Sequence, residues 1–361
     1  MRGGAPKGGF WSRVFAPAAF GSILIAAHRL RRVESGMRRT LVLKERGLGV
    51  VLALLALSMS AAHGMAAEEK TLSERLGYRA TDKILIVNGD DAGMCHAANL
   101  ATIECLETGL MRTATIMVPC PWFPEIAGYA RQNPDKDFGV HLCHTAEWGK
   151  YRWGPVAGAG GVPGLVDADG YLWRGVEDVY RHAKPGEALI EGRAQIRRAL
   201  AAGIDVTHLD SHMGTLQLDP EFMKVYVQLA LEFDLPLRMA SQETMARFGQ
   251  PGLRAQVAAQ GIVFPDDFVY EELANEKKGV KAFWMGIVRN LKPGVTELYI
   301  HAGLPTDELK AITGSWATRS EEFELFARDP EMKRLVAGQR IILIGYRPLR
   351  DLQRAERRQS R

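Results

Sequence analysis

Two kinds of segment alternate along this chain. Short, nearly uninterrupted apolar runs predict strands over 84–88, 113–118, 138–141, 206–210, 235–238, 262–264, 297–301 and 340–344. Between them, helical patterns predict helices near 96–108, 124–131, 185–202, 220–233, 244–256, 271–290 and 321–335. Strand–helix alternation argues for a parallel sheet with helices outside. Uninterrupted apolar strands suit such a sheet, because both of its faces are covered. Seven or eight strands in about 270 residues predict an α/β fold, an irregular (β/α) barrel forming a single domain over 67–361.

The segment 144–185 interrupts this rhythm. It is rich in Gly, Pro and aromatic residues, among them Trp148, Tyr151, Trp153, Tyr171 and Trp173. Loops of that length are usually functional or disordered, and the aromatic content argues against disorder.

Upstream of residue 67 the pattern changes again. Arg38, Arg39, Lys44 and Arg46 precede the uncharged stretch 47–62, and small residues follow as far as Ala66 and Ala67. That order is the signature of a secretory signal, so 37–66 is expected to be removed from a periplasmic or secreted protein. The uncharged stretch is short for a membrane span, which takes about 20 apolar residues. Membrane attachment is therefore expected only through an uncleaved N-terminal segment. Residues 1–36 read as a mis-assigned extension, with Met37 the natural start, or as a disordered lead.

This leader changes the meaning of the charge. The formal net charge is +4, from 46 Lys/Arg and 42 Asp/Glu. Residues 1–66 hold ten of the former and two of the latter, leaving 36 basic and 40 acidic residues. The remainder has no basic surplus, which argues against nucleic acid as a partner. The basic end, from Arg347 to Arg361, is expected to be a solvated, frayed terminus. Cys95, Cys105, Cys120 and Cys143 fit no zinc-ribbon spacing and are expected as buried free thiols.

Candidate chemistry gathers at strand ends. Asp90 and Asp91 close the first predicted strand and precede Ala92-Gly93. Adjacent carboxylates repel, so the pair points to a held cation or to acid–base work. His141 ends the third strand, Asp210 and His212 end the fourth, and His301 ends the seventh. In a parallel barrel the reactive face lies at the carboxyl ends of the strands, which puts all six residues on one face. Singly, each has an ordinary explanation. A strand-end histidine is more often packed than ligating, and Asp210-Ser211 before a helix is a common cap. The one-sided clustering outweighs these. One Asp with His141 and His212 makes a site for one divalent metal ion and leaves the other Asp as a base. Such a set suits zinc foremost, or manganese, cobalt or nickel, better than magnesium. His208 is expected in the core, His144 and His182 in loops, and His96 at a helix start or beside the Asp pair.

In order, Asn88-Gly89-Asp90-Asp91-Ala92-Gly93, Gly139-Val140-His141-Leu142, Thr207-His208-Leu209-Asp210-Ser211-His212 and Tyr299-Ile300-His301-Ala302-Gly303 resemble the motifs of the YdjC-like carbohydrate deacetylases. The resemblance runs from about Ile84 to Arg350. That family includes chitooligosaccharide deacetylases and enzymes proposed to act on hopanoid glycolipids. The resemblance implies an irregular barrel of the polysaccharide-deacetylase type and metal-dependent removal of an acetyl group from an amino sugar. It implies Asp91, His141 and His212 as metal ligands, Asp90 as catalytic base and His301 as acid; the residue types themselves suit Asp210 to orienting a ligand or His301. The substrate would be an acetylated amino sugar, oligosaccharide or glycolipid. There are departures: Ala92 stands where the family usually has Phe, Gly89 where Ala is common, and Cys143-His144 replaces a polar-aliphatic pair. Gly214 stands where many members have a further His. These changes leave the reacting set intact and bear on the substrate.

Two other classes stay open on these residues: another metal-dependent amide or ester hydrolase on the same barrel, and a non-catalytic glycan-binding protein. Asp90 and His301 argue against the second, since binding alone needs neither. Within 147–154, Trp148, Tyr151 and Trp153 are expected either as a sugar platform over the reactive face or as filling of a local core.

Overall fold

The computed structural model describes residues 70–269 and 279–359. The extension 1–36, the signal segment 37–66 and the first part of the helix expected over 271–290 lie outside the described residues.

Among the described residues, seven strands form one parallel sheet: β1 Lys83–Ala92, β2 Thr113–Ile116, β3 Asp137–Leu142, β4 Val206–Ser211, β5 Asp267–Val269, β6 Gly294–Ile300 and β7 Ile342–Ile344. Their order is β4-β3-β2-β1-β6-β5, with β7 also paired to β1. The long β1 organises the sheet. One edge pairs with β6 from Lys83 to Gly89. The other edge is shared, with β7 along Ile84–Ile86 and β2 from Asn88 to Ala92. Ile84 to Val87 are buried, as apolar residues between two covered faces should be.

Among the described residues the result is a half-barrel, irregular and not fully closed. Beyond β4 the pairing thins to one bridge between Leu209 and Leu237 and a hydrogen bond from Leu237 N–H to the Val263 carbonyl. The strands expected over 235–238 and 262–264 shrink to these fragments, and β5 forms further on. Pro236 explains the first, since proline cannot donate to a ladder, and in the second the Val263 amide donates to the Gln353 side chain instead of to a strand.

Helices His96–Thr108 and Pro220–Phe233 form over the expected residues. The expected helix 244–256 is instead two, Gln242–Arg247 and Leu253–Ala258, split by left-handed Gly249 and by Pro251. The stretch 321–335 divides into helix Trp316–Phe323, a π-turn Glu324–Arg328 and helix Pro330–Gly338. The last begins at Pro330, with the Asp329 carboxylate accepting from the Glu331 and Met332 amides. The basic terminus is not frayed: residues Arg347–Gln359 form a helix. Arg350 pairs with Asp205 at 2.5 Å, and buried Gln353 accepts from the Val263 amide at 2.8 Å.

The insertion 144–185 is ordered. Ala146 N–H donates to the Trp173 carbonyl, Leu172 N–H donates to that of Trp153, and Val176–His182 is a helix. The buried Glu191 carboxylate accepts the Val156 and Ala157 amides, both at 2.9 Å, stapling the insertion to helix Pro185–Ala201. All four cysteines are buried and free. No helix among the described residues is long and apolar enough to cross a membrane.

Candidate metal centre and reaction site

Strict pleating would send the side chains of Asp90 and Asp91 to opposite faces of β1. A bulge prevents it. Between Gly89 and Ala92, β1 advances three residues while β2 advances two, and Asp91 sits at φ 65°. A non-glycine residue there costs on the order of 1 kcal/mol or more. The gain is that both carboxylates reach one buried cluster beneath the ends of β3 and β4.

Asp91 Oδ1 lies 3.3 Å from His141 Nε2 and 3.5 Å from His212 Nδ1, and those two nitrogens are 3.1 Å apart. Four-coordinate zinc with bonds of about 2.0–2.1 Å needs ligand atoms about 3.3 Å apart. Oδ1 is buried and makes no hydrogen bond of good geometry. Each ring also has its far nitrogen committed. His141 Nδ1 pairs with Asp210 Oδ1, and His212 Nε2 pairs with Glu147 Oε2 at 2.9 Å. A carboxylate behind each imidazole fixes the tautomer that turns a lone pair to the centre. Asp91, His141 and His212 can therefore hold a divalent cation.

A second grouping, Asp90, His141 and Asp210, is already filled. The Arg238 guanidinium donates to both Asp90 oxygens at 2.7 and 2.8 Å and reaches Asp210 Oδ2 at 2.6 Å. A cation there would face that guanidinium. Arg238 also donates to Glu297 at 2.9 Å, and Tyr346 donates to the other Glu297 oxygen.

These pairings set the charges. Burial works against ionised Asp90, but Arg238, with His141 and His301, wins and lowers it to about 2. Asp91 is likewise buried, and Arg319 and the two imidazoles hold it well below the usual range. Burial disfavours both imidazolium ions. Asp210 and Asp91 nevertheless raise His141 to about 10, and Glu147 and Asp91 raise His212 to about 9. Proton and cation compete for the same nitrogens. Burial lifts Glu297 to about 7, against the pull of Arg238.

His301 directly follows β6, with Nε2 3.9 Å from Asp91 Oδ2 and about a quarter of the side chain exposed. The strand-end residues Asp90, Asp91, His141, Asp210, His212 and His301 thus come together. Trp148 and Trp153 pack with ring centroids 6.2 Å from His212, and Trp148 and Trp153 are 8% and 3% exposed. Tyr151 donates to the Met94 carbonyl. The two tryptophans wall the site and leave little face for a ligand, while Tyr151 is half-buried. His208 is core, stacked on Tyr346 at 3.7 Å. His96 opens its helix, paired with Glu125. His144 lies in a loop as expected and is buried there, whereas His182 ends a helix, stacked on Trp173.

A family model described as YdjC-like protein matches residues 84–338. The chain belongs to the YdjC-like family. Among relatives of this YdjC-like chain, a carbohydrate deacetylase of Thermoanaerobacter pseudethanolicus is 28% identical over 264 residues, covering 73% of this chain and 98% of that one. A chitooligosaccharide deacetylase of Yersinia enterocolitica is 32% identical over 168 residues, 45% of this chain and 61% of that one. A solved structure from Enterococcus faecalis V583, named for cellobiose-phosphate cleavage, superposes with a TM-score of 0.63 at 26% identity. It covers 74% of this YdjC-like chain and 99% of its own.

Sequence reasoning missed Glu147, Arg238, Arg319 and Glu322. Arg238 ends a predicted strand on the same face as the histidines, so the strand-end rule could have found it. Nothing in the sequence marks the other three.

Proposed function

We propose that this YdjC-like protein is a metal-dependent hydrolase that removes an N-acetyl group from an amino-sugar-containing carbohydrate or glycolipid. One observation carries the reading: three buried donor atoms converge within 3.5 Å, and each imidazole is backed by a carboxylate. The names of the relatives supply the substrate class.

In this reading Asp91, His141 and His212 hold the cation. When bound, it would polarise the acetamide carbonyl and acidify the attacking water, which suits a carboxylate held near pKa 2 as the base. Asp90 accepts the water's proton. The Arg238 fork keeps Asp90 ionised and aimed, so no reorientation precedes transfer. His301 approaches Asp91 from the end of β6 and donates a proton to the departing amine, which leaves poorly as an anion. Asp210 and Glu147 hold the two rings. The segment 37–66, outside the described residues, supports export and a substrate beyond the cytoplasm. N-terminal sequencing of a soluble periplasmic product starting near Ala67 tests that.

Acetyl release from chitooligosaccharides, with and without chelator and added zinc, tests the reaction, with acetyl esters as the competing substrate. Asp90→Asn should keep the metal and lose about 100-fold or more in kcat. Asp91→Asn should lose the metal itself. The reverse pattern would exchange the two roles, and hydrolysis of esters alone would refute the N-deacetylase reading.

A further inference from the structure

Helix Trp316–Phe323 lies against the metal centre yet supplies neither a ligand nor a reacting group. Two buried side chains, one turn apart on its inner face, end on different parts of the centre. Arg319 Nη2 donates to Asp91 Oδ2 at 2.7 Å, and its Nε is anchored on Ser315 Oγ at 3.1 Å. Glu322 Oε2 accepts the backbone N–H of His301 at 2.8 Å, and its Oε1 accepts the Trp284 indole N–H at 3.0 Å.

We propose that this helix is a positioning element, in which Arg319 confines Asp91 to a single-oxygen ligand and Glu322 sets His301 against it. The proposal rests on the reading of Asp91, His141 and His212 as cation ligands. A carboxylate can bind a cation through one oxygen or two. Here Oδ2 is committed to the guanidinium, while Oδ1 makes no hydrogen bond of good geometry and faces both imidazole nitrogens at 3.3 and 3.5 Å. A two-oxygen grip would have to break a charge-assisted hydrogen bond in a buried site. One oxygen and two nitrogens leave the remaining positions to water and substrate, as a catalytic site requires. Glu322 works on the other side. Both of its oxygens are engaged, so it cannot swing, and it fixes the backbone from which the His301 ring springs. Because Arg319 and Glu322 share one helix, ligand and proton donor are set to a common frame.

The probe is cobalt(II) alone, whose visible absorption weakens as ligands are added to the ion. The wild-type full chain should absorb strongly. Arg319→Met frees Oδ2, so absorption should fall as Asp91 takes a second grip. Arg319→Gln keeps a polar group at the site, and its amide stops short of Asp91. It should shift the spectrum the same way if the Met variant folds poorly. Glu322→Gln should leave the cobalt spectrum unchanged and lower kcat for chitooligosaccharide about tenfold at constant KM. An unchanged spectrum in a folded Arg319 variant overturns the proposal, as does a Glu322→Gln enzyme with full kcat. Wild-type protein that takes up no cobalt overturns the reading of the site itself, which separates the two failures.

Discussion

The far nitrogens of His141 and His212 are where single residues exert most control over the centre. Glu147 comes from the insertion, not from a strand, and gives His212 a carboxylate partner at 2.9 Å. Glu147→Gln keeps the shape and removes the charge. Cation affinity should fall about 10–100-fold, as for other partners behind ligating imidazoles. Competition with a chromophoric chelator measures it, and an unchanged affinity would show that Glu147 plays no part. His144 has a different consequence. It is fully buried, bonded to the Ala188 carbonyl at 3.0 Å, and burial lowers it from 6.5 to about 4. Below pH 6.5 the unfolded chain protonates this ring and the folded one does not. Its contribution is therefore complete above 6.5 and declines as pH falls towards 4, by a total on the order of 3 kcal/mol. His144→Gln should flatten this part of the curve. Urea midpoints at about pH 7.5 and about pH 5 decide it: an equal acid loss in wild type and variant would rule His144 out.

At the scale of elements, two glycines in the motif strands make opposite predictions. A Cβ on Gly139 would lie 2.5 Å from the His208 ring, which is pinned by its stack on Tyr346. Gly139→Ala should cost about 1–3 kcal/mol by overpacking, visible as a lower melting temperature. A Cβ on Gly89 would clash with the flexible end of Met111, also at 2.5 Å, and make ordinary contact with the Ala114 Cβ at 3.6 Å. Gly89→Ala should be far milder, because methionine can move. Equal losses would mean that the His208 stack is not rigid. These elements also show what a sequence reveals. Helices with firm start signals, such as Asp219-Pro220, are legible nearly to the residue. Apolar runs mark β1 to β4 because both faces are covered. The readings fail where a ladder donor is lost, to Pro236 within 235–238 and to the Gln353 side chain within 262–264, and at the basic terminus, whose docking depends on distant Asp205 and Val263. The site divides in the same way. Residues at strand ends are legible because topology alone puts them on one face. Glu147, Arg319 and Glu322 look like ordinary loop and surface charges, and only long-range packing buries their contacts.

For the whole molecule, the insertion shares one apolar core with the sheet through Trp148, Trp153, Leu165 and Leu172, while Glu191 staples its backbone locally at Val156 and Ala157. Glu191→Ala should release the Val156 and Ala157 amides to faster hydrogen exchange while the β1 and β6 amides stay protected. Exchange that rises everywhere would mean that Glu191 stabilises the whole fold instead. The pairing of β1 has a consequence for how the protein is made. This strand leaves the ribosome first among the seven, yet one edge waits for β6 and half of the other waits for β7, more than 200 residues later. The β1 pairings with β6 and β7 are thus among the longest-range in the fold, and such pairings form slowly. A nascent chain stopped before Gly294 holds an apolar strand with an open edge, a template for association with its neighbours. Ribosome-bound intermediates arrested there should need a holding chaperone, and those arrested well beyond Ile344 should not.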